Sequence, residues 1–303
     1  MTNDENKFSG NDQLFSGEKI LACIDGSSTS ESVCDYAAWV AKATNRPLKL
    51  MHSIEHNSNP VVSDYSGAIG LGSQQTLLNE LTELEQSRSS LLIKQGQLML
   101  NAAKERVKSQ QVDQVETYQH HGSLSQSLVE LENEMRAMVI GIRGEMHEAD
   151  NQAKNDGIGH QLESVIRSMH KPVLVVNKAF SKPKTSMLAY DGSESCKKAL
   201  QMIVSSKLFK GMPCHIVHVG ENNSKTEKLL ADASQVLNKA GIKTVNKLLS
   251  GPAVIALTDY QLEQDIDLTL MGAFSHNKFR DFLLGSFTEK MLTATNRPLL
   301  LLR

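Results

Sequence analysis

The chain repeats itself. Residues 19–32, KILACIDGSSTSES, align with residues 185–198, TSMLAYDGSESCKK, so that Asp25 stands opposite Asp191, 166 positions further on. The same offset carries Pro47 onto Pro213 and His52 onto His218. Later the register changes: Gly122 matches Gly251, Gly141 matches Gly272, and Lys171-Pro172 matches Arg297-Pro298. A duplication of this extent restricts the fold to one unit built twice. The first copy then carries about 37 additional residues in its middle and five more in the loop after its fourth strand.

Each copy reads as strands alternating with helices. In the second, SMLAYDG is a short apolar run, and SESCKKALQMIVSSKLF follows at helical spacing with Ser193 placed to cap it. Then come the strand CHIVHVG, a helix from about Lys225 to Ala240, KTVNKLL, a helix across AVIALTDYQLEQ, DLTLMG, a helix from Ser286 to about Thr295, and PLLLLR. Five strands with four intervening helices imply an α/β fold in which each copy is a doubly wound, five-stranded parallel sheet, because parallel neighbours need crossovers that cover both faces. The first copy follows the same order and closes with PVLVVN. The expected organisation is a disordered tail over 1–16, a first domain over 17–178, a linker over 179–186 and a second domain over 187–303.

The extra segment of the first copy reads as a glycine-containing loop, with Gly67, Gly70 and Gly72, and a helix from roughly Gln74 to Lys108. Leu77, Leu81, Leu84, Leu91 and Leu98 fall close to heptad spacing there, interrupted by Arg88 and Gln95. Two readings stand: a crossover helix lying on its own sheet, or a seam for a partner helix.

Charge and hydropathy remove several function classes. A net charge of −2 and a pI near 6.6 leave no overall basic field for a nucleic-acid backbone. The polar, acidic start has no apolar leader core, and no run of 18 apolar residues occurs, so neither a secretory leader nor a membrane span is expected. A cytoplasmic chain follows as the expectation. Cys23, Cys34, Cys196 and Cys214 have neither C-x-x-C nor zinc-ligand spacing and read as reduced, buried thiols.

The segment MGAFSHNKFRDFLLGS, Met271 to Ser286, ends a strand with a glycine and opens a helix with Gly285-Ser286. Bare amides at such places approach a ligand closely, and a helix start favours an anion. Here the chain resembles the universal stress protein family in a tandem arrangement from Lys19 to Arg303. The family motif is G-x2-G-x9-G-[ST]; Gly272 stands first, Ser275 takes the second glycine's place, and Gly285-Ser286 closes it. The aspartates at the first strand ends, the histidines near the second, and the terminal RPLLLL also resemble the family.

That resemblance implies a strand order 3-2-1-4-5 in each domain, pairing through the last strands, and ATP or a related adenine nucleotide in many members; Mg2+ bridging the phosphates is an option that goes with a triphosphate. Carried over residue by residue, Gly272, Gly285, Ser286 and Phe287 hold the phosphates, Asp191 and Val219 receive the adenine and ribose side, and Met271 is an apolar wall. In the first copy Asp25, Gly141, Gly144, Gly159 and His160 hold the corresponding places. That site is expected to be degenerate: fourteen residues separate Gly144 from Gly159, His160 replaces the serine or threonine, and Glu145, Glu148, Asp150 and Asp156 outnumber Lys154 in the loop. The second copy's loop offers Lys278 and Arg280 against Asp281.

Plainer readings stand beside these. Asp191 can order its own Asp-Gly-Ser turn, His52 and His218 can be hydrogen-bonded strand ends, and His120, His121 and His276 can be solvated. No P-loop, nucleophile elbow or H-E-x-x-H is present. The expectation is a stress-response protein that binds a nucleotide and signals to an unknown protein partner through its loops, with at most slow hydrolysis. The alternatives are a non-nucleotide interaction protein, a slow ATPase or autophosphorylating protein using Ser286, and an apolar-ligand protein. The two copies should pack as an intrachain pseudo-dimer, with a further homodimer open.

Overall fold

The computed structural model describes residues 18–54, 71–142, 160–273 and 286–303. The N-terminal half runs β1 (Lys19–Cys23), α1 (Ser30–Thr44), β2 (Leu48–Ile54), α2 (Leu71–Ser109), β3 (Val115–His121), α3 (Leu124–Leu131), β4 (Met135–Gly141), α4 (His160–Ser168) and β5 (Val173–Val176). The C-terminal half repeats the order as β6 (Ser186–Ala189), α5 (Glu194–Ser205), β7 (Cys214–Val219), α6 (Ser224–Lys239), β8 (Thr244–Leu249), α7 (Ala253–Glu263), β9 (Leu268–Gly272), α8 (Ser286–Ala294) and β10 (Leu299–Leu302), with a short 3-10 turn at Lys207–Phe209. The expected tail and the loop glycines Gly67 and Gly70 lie outside the described residues.

All ten strands form one sheet in the order β3-β2-β1-β4-β5-β10-β9-β6-β7-β8. Each half therefore has the order 3-2-1-4-5, and every pairing within a half is parallel. The halves meet through their last strands, where β10 runs antiparallel to β5 with Leu300 opposite Leu174. Joining these two apolar strands removes two sheet edges that would otherwise face water.

Period-two alternation divides the core into two layers. Leu300 and Leu302 of β10 face a cluster covered by α1, α2, α5 and α6, and Leu299 and Leu301 face one covered by α3, α4, α7 and α8. Helix starts follow their capping residues: the side chain of Ser193 accepts from the Cys196 amide and that of Asn223 from the Thr226 amide. All four cysteines are free and buried.

Helix α2 rests on the sheet through its C-terminal part, where Leu100, Ala103 and Val107 are buried. The heptad leucines Leu81, Leu84, Leu91 and Leu98 are instead exposed. The crossover reading holds for the helix, but other residues carry its contact with the sheet. Arg106 fixes that end to α1 with two parallel bonds of 2.8 Å to Asp35.

A candidate ligand cleft between strands β6 and β9

In an open parallel sheet, the crevice outside the carboxyl ends of the strands opens where the winding reverses. In the C-terminal half that point lies between β6 and β9, which are hydrogen-bonded neighbours. A cleft of about 290 Å³ sits there, at the small end of the range of ligand pockets, about 300–1,000 Å³. Its walls are mostly apolar, with Val217, Val219, Leu257 and Met271 among them, and its polar groups come from the turn after β6 and the start of α5, from His218 of β7 and from Thr288 of α8.

That turn is held by its own side chains. The Ser193 amide donates to Asp191 Oδ1 at 2.9 Å, and Ser193 Oγ lies 3.2 Å from Ser195 Oγ. His218 Nδ1 donates to the Tyr190 carbonyl at 2.8 Å, which ties the end of β7 to the end of β6. The Cys196 thiol donates to the Ala189 carbonyl at 3.2 Å. Burial pushes the Cys196 thiol and the Tyr190 phenol above their ordinary values, so both stay neutral near pH 7.

Gly272 ends β9 hard against the first turn of α5. A β-carbon there would overlap Ser195 Oγ and stand 3.0 Å from Ser195 Cβ. Glycine is thus what lets strand and helix close around the cleft's inner end. Thr288, in the first turn of α8, donates to the Ala273 carbonyl at 2.8 Å and holds that helix to the same strand end.

The cleft gathers Asp191, Val219, Met271, Gly272 and Phe287 from the residues singled out in the sequence. Ser286 opens α8 and lines a neighbouring open groove with Ile255 and Lys290, a groove that shares Ala253 and Phe287 with the cleft. Ser275 and Gly285 lie outside the described residues, as do Lys278 and Arg280. The lining that is described holds no lysine or arginine. Ser195, Cys196, Ala253, Leu257 and Thr288 also line the cleft and were not singled out. The spacing of Ala253 and Leu257, one helical turn apart, could have marked a shared face of α7.

The N-terminal half repeats the turn and alters its surroundings. The Ser27 amide and Ser30 Oγ both donate to Asp25 Oδ1 at 3.0 Å, and Ser30 occupies the place of Cys196. His52 Nδ1 donates to the Ile24 carbonyl at 2.8 Å, as His218 does to Tyr190. Here, however, α2 descends onto the ring: a β-carbon on Gly96 would stand 2.5 Å from His52 Cδ2 and overlap Gln119 Nε2. His52 is buried, whereas His218 lines the cleft. Gly141 ends β4; Gly144 and Gly159 lie outside the described residues, and His160 begins α4.

Comparison with known proteins bears on the whole chain. The model of the universal stress protein family matches residues 17–177 and 220–303. A universal stress protein of Synechocystis is 34% identical over 290 residues, covering 94% of this chain and 100% of that one. Among solved structures, a universal stress protein from Archaeoglobus fulgidus matches with TM-score 0.66 at 18% identity, over 96% of this chain and 98% of that one. A functionally unknown protein from Pseudomonas aeruginosa matches with TM-score 0.58 at 16% identity, over 96% and 94% of the two chains. At such identities the structural likeness speaks to the fold.

Proposed function

The chain belongs to the universal stress protein family, and from that premise we propose that its C-terminal half binds an adenine nucleotide, ATP first among them, in the cleft between β6 and β9. The observation that carries this reading is the convergence of Asp191, Val219, Met271, Gly272 and Phe287 on one cleft at the winding reversal. Apolar walls suit a flat base, and the Asp191 carboxylate suits ribose hydroxyls. The phosphates fall to Gly272, Ser275, Gly285 and Ser286, the last at the start of α8, where amides left without helical partners favour an anion. Mg2+ comes to the site on the triphosphate: among the described residues no three histidine, cysteine, aspartate or glutamate side chains gather to hold a metal.

Binding, rather than catalysis, is the task this lining supports. The cleft's neutral Cys196 and Tyr190 offer no activated nucleophile, and His218 spends Nδ1 on a backbone carbonyl. In the N-terminal half the site is degenerate, with α2 seated on His52. The work is assigned to the cytoplasm, whose reducing poise suits four free thiols. A nucleotide alters what partners read only through its unequal affinity for two conformations of the loops around the cleft.

Calorimetric titration of nucleotide-stripped protein with Mg-ATP tests the reading. Binding tighter than about 1 mM, or about 4 kcal/mol, is expected, and Leu257→Trp should abolish it while leaving the circular dichroism spectrum intact. No heat from the wild-type protein at high concentration ends the proposal.

A further inference from the structure

The cleft between β6 and β9 continues past Phe287. Ala253 and Phe287 line the cleft and also an open groove of about 520 Å³ between the first turn of α7 and helix α8. The cleft alone, at about 290 Å³, is small for a whole ligand, so the distal part of a nucleotide seated there lies outside it. The groove leaves from the end where the phosphates fall, because Ser286 lines it as well. Among the described residues that line it, Lys290, one turn beyond Ser286, is the only charged one. Pro252, Val254, Ile255 and Ala294 make the remaining wall mostly apolar.

The two copies of the fold compare this surface with itself. The match of Gly122 to Gly251 sets Leu124, Ser125 and Gln126 opposite Ala253, Val254 and Ile255, and the match of Lys171-Pro172 to Arg297-Pro298 sets Gln161 and Ser164 opposite Phe287 and Lys290. The starts of α3 and α7, and of α4 and α8, agree with that pairing. Polar residues are what an outer helix face ordinarily carries. The C-terminal copy instead leaves Ile255 56% exposed, and where Leu124 is buried in the core it has the smaller Ala253 at the junction of cleft and groove. A requirement of the fold would show in both copies; this apolar face is confined to the one whose cleft gathers the nucleotide-site residues.

Resting on the nucleotide reading, we propose that the groove is a further subsite of the same site and takes the apolar chain of an acyl adenylate. Base and ribose occupy the cleft, the single charge of the acylated phosphate lies between Ser286 and Lys290, and the chain runs along Val254 and Ile255. A bare triphosphate would lay several charges along apolar walls that hold one lysine.

Calorimetric titration of the full chain with acylsulfamoyl adenosines, stable mimics of acyl adenylates, varies the chain and keeps the charge. The octanoyl compound should bind at least about tenfold more tightly than the acetyl one, since each methylene withdrawn from water is worth about fourfold. Ile255→Asp, which puts a carboxylate in the first turn of α7 where a helix tolerates it, should remove most of that gain and leave the affinity for the acetyl compound and for Mg-ATP unchanged. Ile255→Leu should keep the gain. Equal binding of the two compounds overturns the proposal and leaves the nucleotide reading standing; no binding of either, with no heat from Mg-ATP, overturns both. A gain that survives Ile255→Asp puts the chain elsewhere and also overturns it. So does a wild-type dimer in sedimentation velocity that Ile255→Asp turns into a monomer, which would give the groove to a second copy.

Discussion

The strand end at Gly272 and the helix start at Ser195 occupy almost the same space: a β-carbon on the glycine would overlap the serine hydroxyl and stand 3.0 Å from Ser195 Cβ. Rotating the hydroxyl removes the first conflict and leaves the second, so backbone must shift. Gly272→Ala should therefore cost about 1 kcal/mol or more, at the low end of the range for overpacked sites, and weaken nucleotide binding. Ser195→Gly in the same chain should recover most of the stability. A double-mutant cycle by urea unfolding measures the coupling; additive effects would show that the two residues do not compete for space.

The same logic applies in the N-terminal half, with a different partner. Gly96 lets α2 lie on the His52 ring, whose Nδ1 is committed to the Ile24 carbonyl. Gly96→Ala gains helix propensity, worth about 1 kcal/mol, yet should destabilise the protein, because the added methyl meets both His52 and Gln119. His52→Ala should reverse the sign of part of that effect. Thermal unfolding of the two single variants and the double variant checks this, and a stabilised Gly96→Ala would mean that the helix sits higher than described.

These two glycines mark where sequence reasoning reached and where it stopped. The strands were readable because apolar runs such as PVLVVN and PLLLLR suit a sheet covered on both faces, the doubling because the sequence repeats, and the strand order because the family resemblance implies it. Asp191 and Gly272 were found because they recur at strand ends, where turn chemistry is local, whereas Val219 and Met271 were carried over from the family resemblance. Ser195 and Leu257 were not found, since what brings them to Gly272 and Val219 is the packing of α5 and α7, a relation between distant residues. Gly96 gave no signal at all: within a helical pattern a glycine looks like a defect until the imidazole beneath it is seen. The leucines of α2 were visible as a row, but which side of the helix met the sheet was decided by Leu100, Ala103 and Val107, lower in the chain.

Buried thiols make stability fall on the alkaline side. Burial pushes Cys23, Cys34 and Cys214 up to about 12, with nearby carboxylates adding to the effect at Cys23 and Cys34. The sign follows from proton binding: between about pH 9, where the unfolded thiols ionise, and pH 12, the native state holds protons that the unfolded state has released. Stability conferred below pH 9 is then lost at on the order of 1.4 kcal/mol per pH unit for each thiol. Urea midpoints from pH 8 to pH 11 should drop steeply, and Cys214→Ala should flatten the slope by one thiol's share. An unchanged slope in that variant would remove Cys214 from the account.

Leu174 and Leu300 face each other across the antiparallel seam and belong to one buried cluster that runs through both halves. Phe209, from the 3-10 turn of the C-terminal half, joins that cluster beside α1 of the N-terminal half. A chain of 303 residues ordinarily unfolds in stages, but neither half here can leave without exposing the other's last strand. The single tryptophan, Trp39 in α1, belongs to the N-terminal half, whereas circular dichroism reports on both. The two probes should therefore give coincident urea transitions. ATP at a hundred times its dissociation constant, adding about 2.7 kcal/mol through the C-terminal cleft, should move the Trp39 transition as well. Leu174→Asp buries a charge at the seam and should split the transitions and release Trp39 from the effect of ATP. Separate transitions in the wild-type protein would mean that β5 and β10 are joined too weakly to couple the halves.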